Sequence, residues 1–304
     1  MLSLLILIPG CTNGTQWQAQ WDQFTWVDYS FEDQYYDKAA ILIPFRFSGS
    51  EEKYYVQLDT GAPSLLNGNT FSDIQEAIDV KEQTSSSVTL DGMLAGNKFK
   101  EKNFYLKNNY GLTLEELQKA EYKKVGNLGL DFFEDSLLIL DFPRSRFMIA
   151  DSQRQVPEDI IENSEFTEVE YRYGKFFLDT EIGGRELTLI YDTGASLFPI
   201  ATTKDIWLEL TATKAEEADV FLEGPSWGKT AVFKGAKAQN NWKFGGLTIE
   251  KPLIFHETSG LENLDFHAYP YRLDGVLGNA VFYDDYIITI DLKNNKFGIK
   301  EVKQ

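Results

Sequence analysis

The residues best placed to do chemistry in this sequence are two aspartates in matching surroundings. Asp59 opens Asp59-Thr60-Gly61-Ala62, and Asp192 opens Asp192-Thr193-Gly194-Ala195. Each follows a short run of strand formers, Tyr54-Tyr55-Val56-Gln57-Leu58 and Leu187-Thr188-Leu189-Ile190-Tyr191. Two carboxylates held close together cannot both ionise, so they share one proton. Such a pair supplies a base for water and an acid for a carbonyl oxygen. Paired carboxylates also serve glycoside hydrolysis, but nothing beyond the pairing points that way.

Other chemistry has thinner support. Gly224-Pro225-Ser226-Trp227-Gly228 fits the G-x-S-x-G pattern, with Asp265, His256 and His267 downstream. A nucleophilic serine of that kind needs a strand before it and a helix after it. Here Lys229-Thr230-Ala231-Val232-Phe233 reads as a strand, so a turn is the simpler reading and a Ser226 hydrolase the lesser alternative. The single cysteine, Cys11, excludes an internal disulfide and a zinc-thiolate centre. The only two histidines lack metal-ligand spacing, so neither a metal nor a cofactor is expected.

The chain has 304 residues, 43% of them hydrophobic and 14% aromatic, which suits a well-packed core. Its formal charge of −18 has the wrong sign for a phosphate-binding surface, so nucleic acid is not an expected partner.

The segments around the two aspartates form a duplication. Gly126-Asn127-Leu128-Gly129, Leu137 to Asp141 and Arg146 to Ala150 recur as Gly275-Val276-Leu277-Gly278, Tyr286 to Asp291 and Lys296 to Lys300. Both copies end in strand, acidic turn and strand, a hairpin signature. The expected organisation is a signal segment over 1–11, a tether over 12–37, and a first lobe over 38–152. An interlobe linker follows over 153–165, with Pro157, and then a second lobe over 166–304. The class is mostly β with few short helices. Thr113-Leu114-Glu115-Glu116 is a capping box opening a helix to about Tyr122, and 71–80 and 204–210 are weaker helix candidates.

At the N-terminus an apolar run from Met1 to Ile8 meets Pro9-Gly10-Cys11. It is too short to span a bilayer and has export character. It resembles a bacterial lipoprotein signal, in which Cys11 becomes the lipidated first residue of an exported cell-envelope protein anchored by lipid rather than by a span. The other reading is an ordinary secretory signal with an incidental cysteine.

The duplicated motifs resemble those of the pepsin-type aspartic peptidases, over roughly residues 38–302. The alanines at 62 and 195 are closer to the retroviral enzymes. The resemblance implies two homologous closed β-barrel-like lobes about a pseudo-twofold axis, with catalytic Asp59 and Asp192, one per lobe, and a polypeptide substrate. It implies that Thr60 and Thr193 cross-link the two loops, that Gly61 and Gly194 permit the tight turns, and that Leu128-Gly129 and Leu277-Gly278 pack beneath. A monomer suffices. Ala62 and Ala195 replace the hydroxyl residues usual in pepsin-like enzymes. A hydroxyl would stabilise the charged carboxylate, so activity nearer neutral pH is expected. The flap hairpin is expected between Ser85 and Gly96, turning at Asp91-Gly92, with a second-lobe counterpart from Gly224 to Gly235. The alternative within the same fold is an inactive peptide-binding protein.

Overall fold

A computed structural model describes residues 15–31, 34–214, 217–218, 220–226, 229–261, 266 and 270–302. The first half carries β1 (Asp22–Gln23), β2 (Thr25–Phe31), β3 (Gln34–Phe47), β4 (Tyr54–Leu58), β5 (Leu65–Asn67), β6 (Val80–Gln83), β7 (Ser87–Leu94), β8 (Asn97–Lys107), β9 (Lys124–Leu128), β10 (Leu137–Asp141) and β11 (Arg146–Ala150). The second carries β12 (Glu165–Glu168), β13 (Glu170–Arg172), β14 (Lys175–Ile182), β15 (Arg185–Tyr191), β16 (Ile200–Thr202), β17 (Val220–Ser226), β18 (Lys229–Lys237), β19 (Trp242–Phe244), β20 (Leu247–Ile249), β21 (Leu253–Glu257), β22 (Gly275–Leu277), β23 (Tyr286–Asp291) and β24 (Lys296–Glu301). The α-helices are short: α1 (Gly68–Ile74), α2 (Leu114–Lys119), α3 (Glu158–Glu162) and α4 (Lys204–Thr211).

Each half builds its own sheet by the same wiring. In the first, β4 runs parallel to β9, β9 antiparallel to β5, and β5 parallel to β8. In the second, β15 runs parallel to β22, β22 antiparallel to β16, and β16 parallel to β21. Pairing of β3 with β7, from Phe45↔Leu94 to Phe47↔Gly92, closes the first sheet on itself. Strand burial follows the side-chain period of two. In β7, Val88, Leu90, Gly92 and Leu94 point inward and their neighbours outward. The terminal hairpins behave differently. All five residues of β10 are buried, and β10 pairs antiparallel with β23, for example Ile139↔Thr289. The two halves therefore share a six-stranded sheet, β1-β11-β10-β23-β24-β12. A strand covered on both faces needs a continuous apolar run, which Leu137-Leu138-Ile139-Leu140 provides.

Two expectations need correction. Residues 22–31 are not tether, because β1 pairs with β11 and β2 with β3, while Trp17 and Phe24 are buried. An apolar side chain that finds core surface orders the backbone around it. Asp91-Gly92 is not a turn but lies inside β7, where the register shifts between Leu90 and Gly92. A Cβ on Gly92 would stand 2.4 Å from the Arg46 carbonyl, so the glycine allows close strand approach. Asp91 accepts a hydrogen bond from the Glu101 amide at 2.8 Å. Helix α2 carries the expected capping box on Thr113 and Glu116 but ends at Lys119. The stretch 71–80 is helical through Ala77, as α-helix to Ile74 and a 3-10 turn over Gln75–Ala77, and Val80 begins β6. Cys11 and the signal segment lie outside the described residues. Among those described, no helix is long and apolar enough to cross a membrane.

Candidate active site

The two Asp-Thr-Gly-Ala loops leave β4 and β15 at equivalent points and meet across the lobes. Each aspartate amide donates to the leucine carbonyl of the strand alongside, Asp59 to Leu128 and Asp192 to Leu277, both at 2.9 Å. Each loop is then closed by the alanine amide donating to the aspartate carbonyl at 3.1 Å, for Ala62 and for Ala195. Thr60 and Thr193 tie the loops together. The Thr60 amide donates to Thr193 Oγ1 at 3.0 Å, and the Thr193 amide donates to Thr60 Oγ1 at 2.9 Å. The hydroxyls donate onward, Thr60 to the Tyr191 carbonyl and Thr193 to the Leu58 carbonyl, both at 2.8 Å. Both threonines are 0% exposed, so four polar groups are satisfied with no water needed.

The glycines serve space rather than torsion. Neither Gly61 nor Gly194 has a positive φ. A Cβ at Gly61 would lie 2.3 Å from Asp192 Cγ, and one at Gly194 would lie 2.6 Å from Asp59 Oδ1. Each glycine thus leaves room for the opposite carboxylate. Beneath the loops, a Cβ at Gly129 would stand 2.0 Å from the Ala62 carbonyl, and one at Gly278 2.1 Å from that of Ala195.

The two carboxyl groups stand close together, Asp59 buried and Asp192 partly exposed, and they are not equivalent. Asp192 Oδ1 accepts from the Gly194 amide at 2.8 Å and the Gly61 amide at 3.1 Å. Asp59 Oδ2 instead accepts from Asn127 Nδ2 at 2.6 Å. Burial, then the charge of Asp192, pushes the Asp59 carboxyl up to about 7. Asp192 is also raised by burial, but the Gly194 amide, then the charge of Lys175, opposes the rise. Lys175 Nζ donates to the Gly61 carbonyl at 2.7 Å. Burial thus favours the proton on Asp59, and the two amides and the Lys175 charge favour the anion on Asp192.

The aspartates face a cleft of about 380 Å³ lined from both lobes. Gln57, Tyr110, Lys124 and Asn127 line the N-terminal side, and Ile190, Phe198, Phe233 and Val276 the other. Cover comes from one expected hairpin, β17–β18 of the second lobe, and one unexpected, β2–β3. The β2–β3 hairpin contributes Val27 and Tyr29, and the β17–β18 hairpin contributes Leu222, Glu223 and Gly224. The hairpins meet where the Glu223 amide donates to Tyr36 Oη at 3.2 Å. The β6–β7 turn, inside which the expected flap begins, is folded back onto β8. There Leu106 donates to the Ser86 carbonyl at 2.8 Å and Asn108 Nδ2 to that of Ser85 at 3.2 Å. None of its residues lines the cleft. A larger groove of about 780 Å³ lies elsewhere, along α3 and the shared sheet, without either aspartate.

The serine alternative does not assemble. Ser226 ends β17 and pairs with Lys229 of β18, a hairpin rather than a strand-to-helix elbow. His256 is buried on β21 against Trp207, with Nδ1 at 3.1 Å from the Glu257 carbonyl and Nε2 without a partner. Asp265 and His267 lie outside the described residues. No cluster of three metal-ligating side chains occurs among the described residues.

Sequence reasoning missed Asn127, Lys124 and Lys175. For Asn127 a signal existed: Gly126-Asn127-Leu128 sits where the second copy has Gly275-Val276-Leu277, and a polar residue replacing a buried apolar one needs a partner.

No protein-family model matches the sequence, and no curated protein matches it. Among solved structures, the aspartic proteinase from Irpex lacteus superposes with a TM-score of 0.52 over 87% of this chain and 95% of that chain, at 10% sequence identity. The likeness establishes the fold, a bilobal, mostly β, pepsin-like architecture.

Proposed function

We propose that the chain is an aspartic endopeptidase acting with Asp192 as base and Asp59 as acid. The observation that carries this reading is the pair of close, unequally hydrogen-bonded carboxyls, two backbone amides on Asp192 and one side-chain amide on Asp59, in a cleft between two equivalent lobes. In the mechanism a water bound between the carboxyls loses its proton to Asp192 as its oxygen attacks the scissile carbonyl carbon. Asp59 gives its proton to the carbonyl oxygen, forming a neutral gem-diol. Asp192 then protonates the leaving nitrogen as the C–N bond breaks, and Asp59 recovers a proton from the diol. Paired amides on Asp192 keep it the stronger acid, and burial keeps Asp59 protonated near neutral pH.

A second reading, an inactive peptide-binding protein, draws on the β6–β7 turn, which is folded away from the cleft. Hydrolysis of casein and of a short-peptide library by the wild-type chain, Asp59→Asn and Asp192→Asn separates the two. The enzyme reading expects cleavage that drops roughly 10² to 10⁴-fold in either variant. Cleavage unchanged in Asp192→Asn, or absent from the wild-type chain over pH 3 to 8, rejects it. We also propose export with lipid attachment at Cys11. Metabolic labelling with palmitate, lost in Cys11→Ser, tests that placement.

A further inference from the structure

The duplication supplies an internal control for the walls of the cleft. Two wall positions differ in kind between the copies: Gln57 and Asn127 occupy the places that Ile190 and Val276 hold in the second lobe. Ile190 and Val276 belong to an apolar cluster with Phe177, Phe255 and Phe266. The first-lobe pair is polar, and the bulge in β9 beside it adds a cation, Lys124, to the same wall.

We propose that the N-terminal wall is an anion subsite, with Lys124 as its cation, that takes an Asp or Glu side chain flanking the scissile bond. The opposite wall takes a large apolar side chain. This proposal rests on the peptidase reading. Lys124 Nζ donates to Gln57 Oε1 at 2.5 Å, and no carboxylate among the described residues lies within ion-pairing distance of it. A largely buried ammonium satisfied only by an amide is costly to hold. The carboxyl whose charge acts on Lys124 is Asp59, and burial favours the protonated form of that carboxyl, which weakens it as a counter-charge. A second cation stands nearby: Lys107 Nζ lies 4.2 Å from the centre of the Tyr110 ring, and its charge is felt at both Lys124 and Asp59. Two lysines whose charges act on each other run against the −18 charge of the chain. A substrate carboxylate would accept a charge-assisted hydrogen bond from Lys124 and complete the pairing.

The test uses peptides with Phe on one side of the scissile bond and Glu or its neutral isostere Gln on the other, in both orders. In one order, wild-type kcat/KM is expected to favour Glu over Gln by roughly ten- to a hundredfold. Lys124→Met collapses that ratio to near one, and Lys124→Arg keeps it. A wild-type ratio near one in both orders, or a ratio unchanged in Lys124→Met, overturns the subsite. If none of the peptides is cut, the same peptides are titrated onto the wild-type chain by fluorescence anisotropy. A Glu-over-Gln preference in Kd then upholds the subsite while the peptidase reading falls, and no preference overturns the subsite as well.

Discussion

Asp59→Asn tests the charge assignment through stability, independently of any substrate. Asparagine has the shape of a protonated aspartate, can accept from Asn127 and can donate toward Asp192. It reproduces the neutral form and removes the option to ionise. The folded-state value of about 7 lies roughly three units above the ordinary 3.8. Between those values the folded chain holds a proton that the unfolded chain has released, so wild-type stability falls as pH rises from about 4 to about 7. At 1.36 kcal/mol per unit the full loss is on the order of 4 kcal/mol, an upper bound for a carboxyl coupled to Asp192. Asp59→Asn escapes that loss. It should match the wild type within about 1 kcal/mol at pH 4 and exceed it by about 2–4 kcal/mol at pH 8. For a chain of this size that corresponds to a Tm higher by roughly 3–6 °C. Thermal and guanidinium unfolding at both pH values measures the difference. An equal difference at pH 4 and pH 8, or a less stable variant at pH 8, would refute the assignment of the proton to Asp59.

Other outcomes follow from the same geometry. Gly129→Ala drives a Cβ into the Ala62 carbonyl and should lower stability by at least about 3 kcal/mol or abolish soluble expression, read by thermal unfolding. Thr193→Ala deprives the buried Thr60 amide and the Leu58 carbonyl of a partner. It should cost about 2–4 kcal/mol, whereas Thr193→Ser, which keeps the hydroxyl, should cost under about 1 kcal/mol. If the chain hydrolyses peptides, kcat/KM should rise with pH as Asp192 ionises and fall as Asp59 loses its proton near pH 7. Lys175→Met should move the acid limb upward, because the lysine charge lowers Asp192. Asn127→Val should move the alkaline limb upward, because the Asn127 hydrogen bond favours ionised Asp59. A maximum below about pH 3 would contradict the burial argument.

What the sequence disclosed was what local chemistry compels. A loop that must present a carboxylate, cross-link through a hydroxyl and leave room for its mate tolerates few residue types, so Asp-Thr-Gly is visible twice. The capping box on Thr113 was visible because both its partners lie within one turn. Long-range pairing left no such trace. Asp22 of β1 pairs with Phe147, far along the chain, so nothing near Asp22 marks a strand. Gly92 misled because an Asp-Gly pair between apolar residues is a turn signal, whereas here the glycine relieves crowding from Arg46 and Phe99. The roles of Gly61 and Gly194 were expected from backbone freedom and are explained by the space each leaves for the opposite carboxylate.

The frame of the site is symmetric and its chemistry is not, and the second property depends on small departures from the first. Perfect twofold symmetry would have the Gly194 amide serve Asp59, as the Gly61 amide serves Asp192. Instead both amides converge on Asp192 Oδ1. Two backbone donors and the Lys175 charge favour the anion there, while Asp59 receives one side-chain donor and remains the group that keeps the proton. A symmetric pair would have no preferred acid, and either assignment would be equally populated. Substituting Asn127 for the valine of the other copy runs against this bias, since its hydrogen bond lowers Asp59. It is therefore better understood with Gln57 and Lys124, as part of a wall that has become polar, than as a device for setting the pair. Duplication supplied two equal loops. Divergence of the strands behind them, β9 against β22, makes the two walls chemically different, and two amides make the two carboxyls unequal.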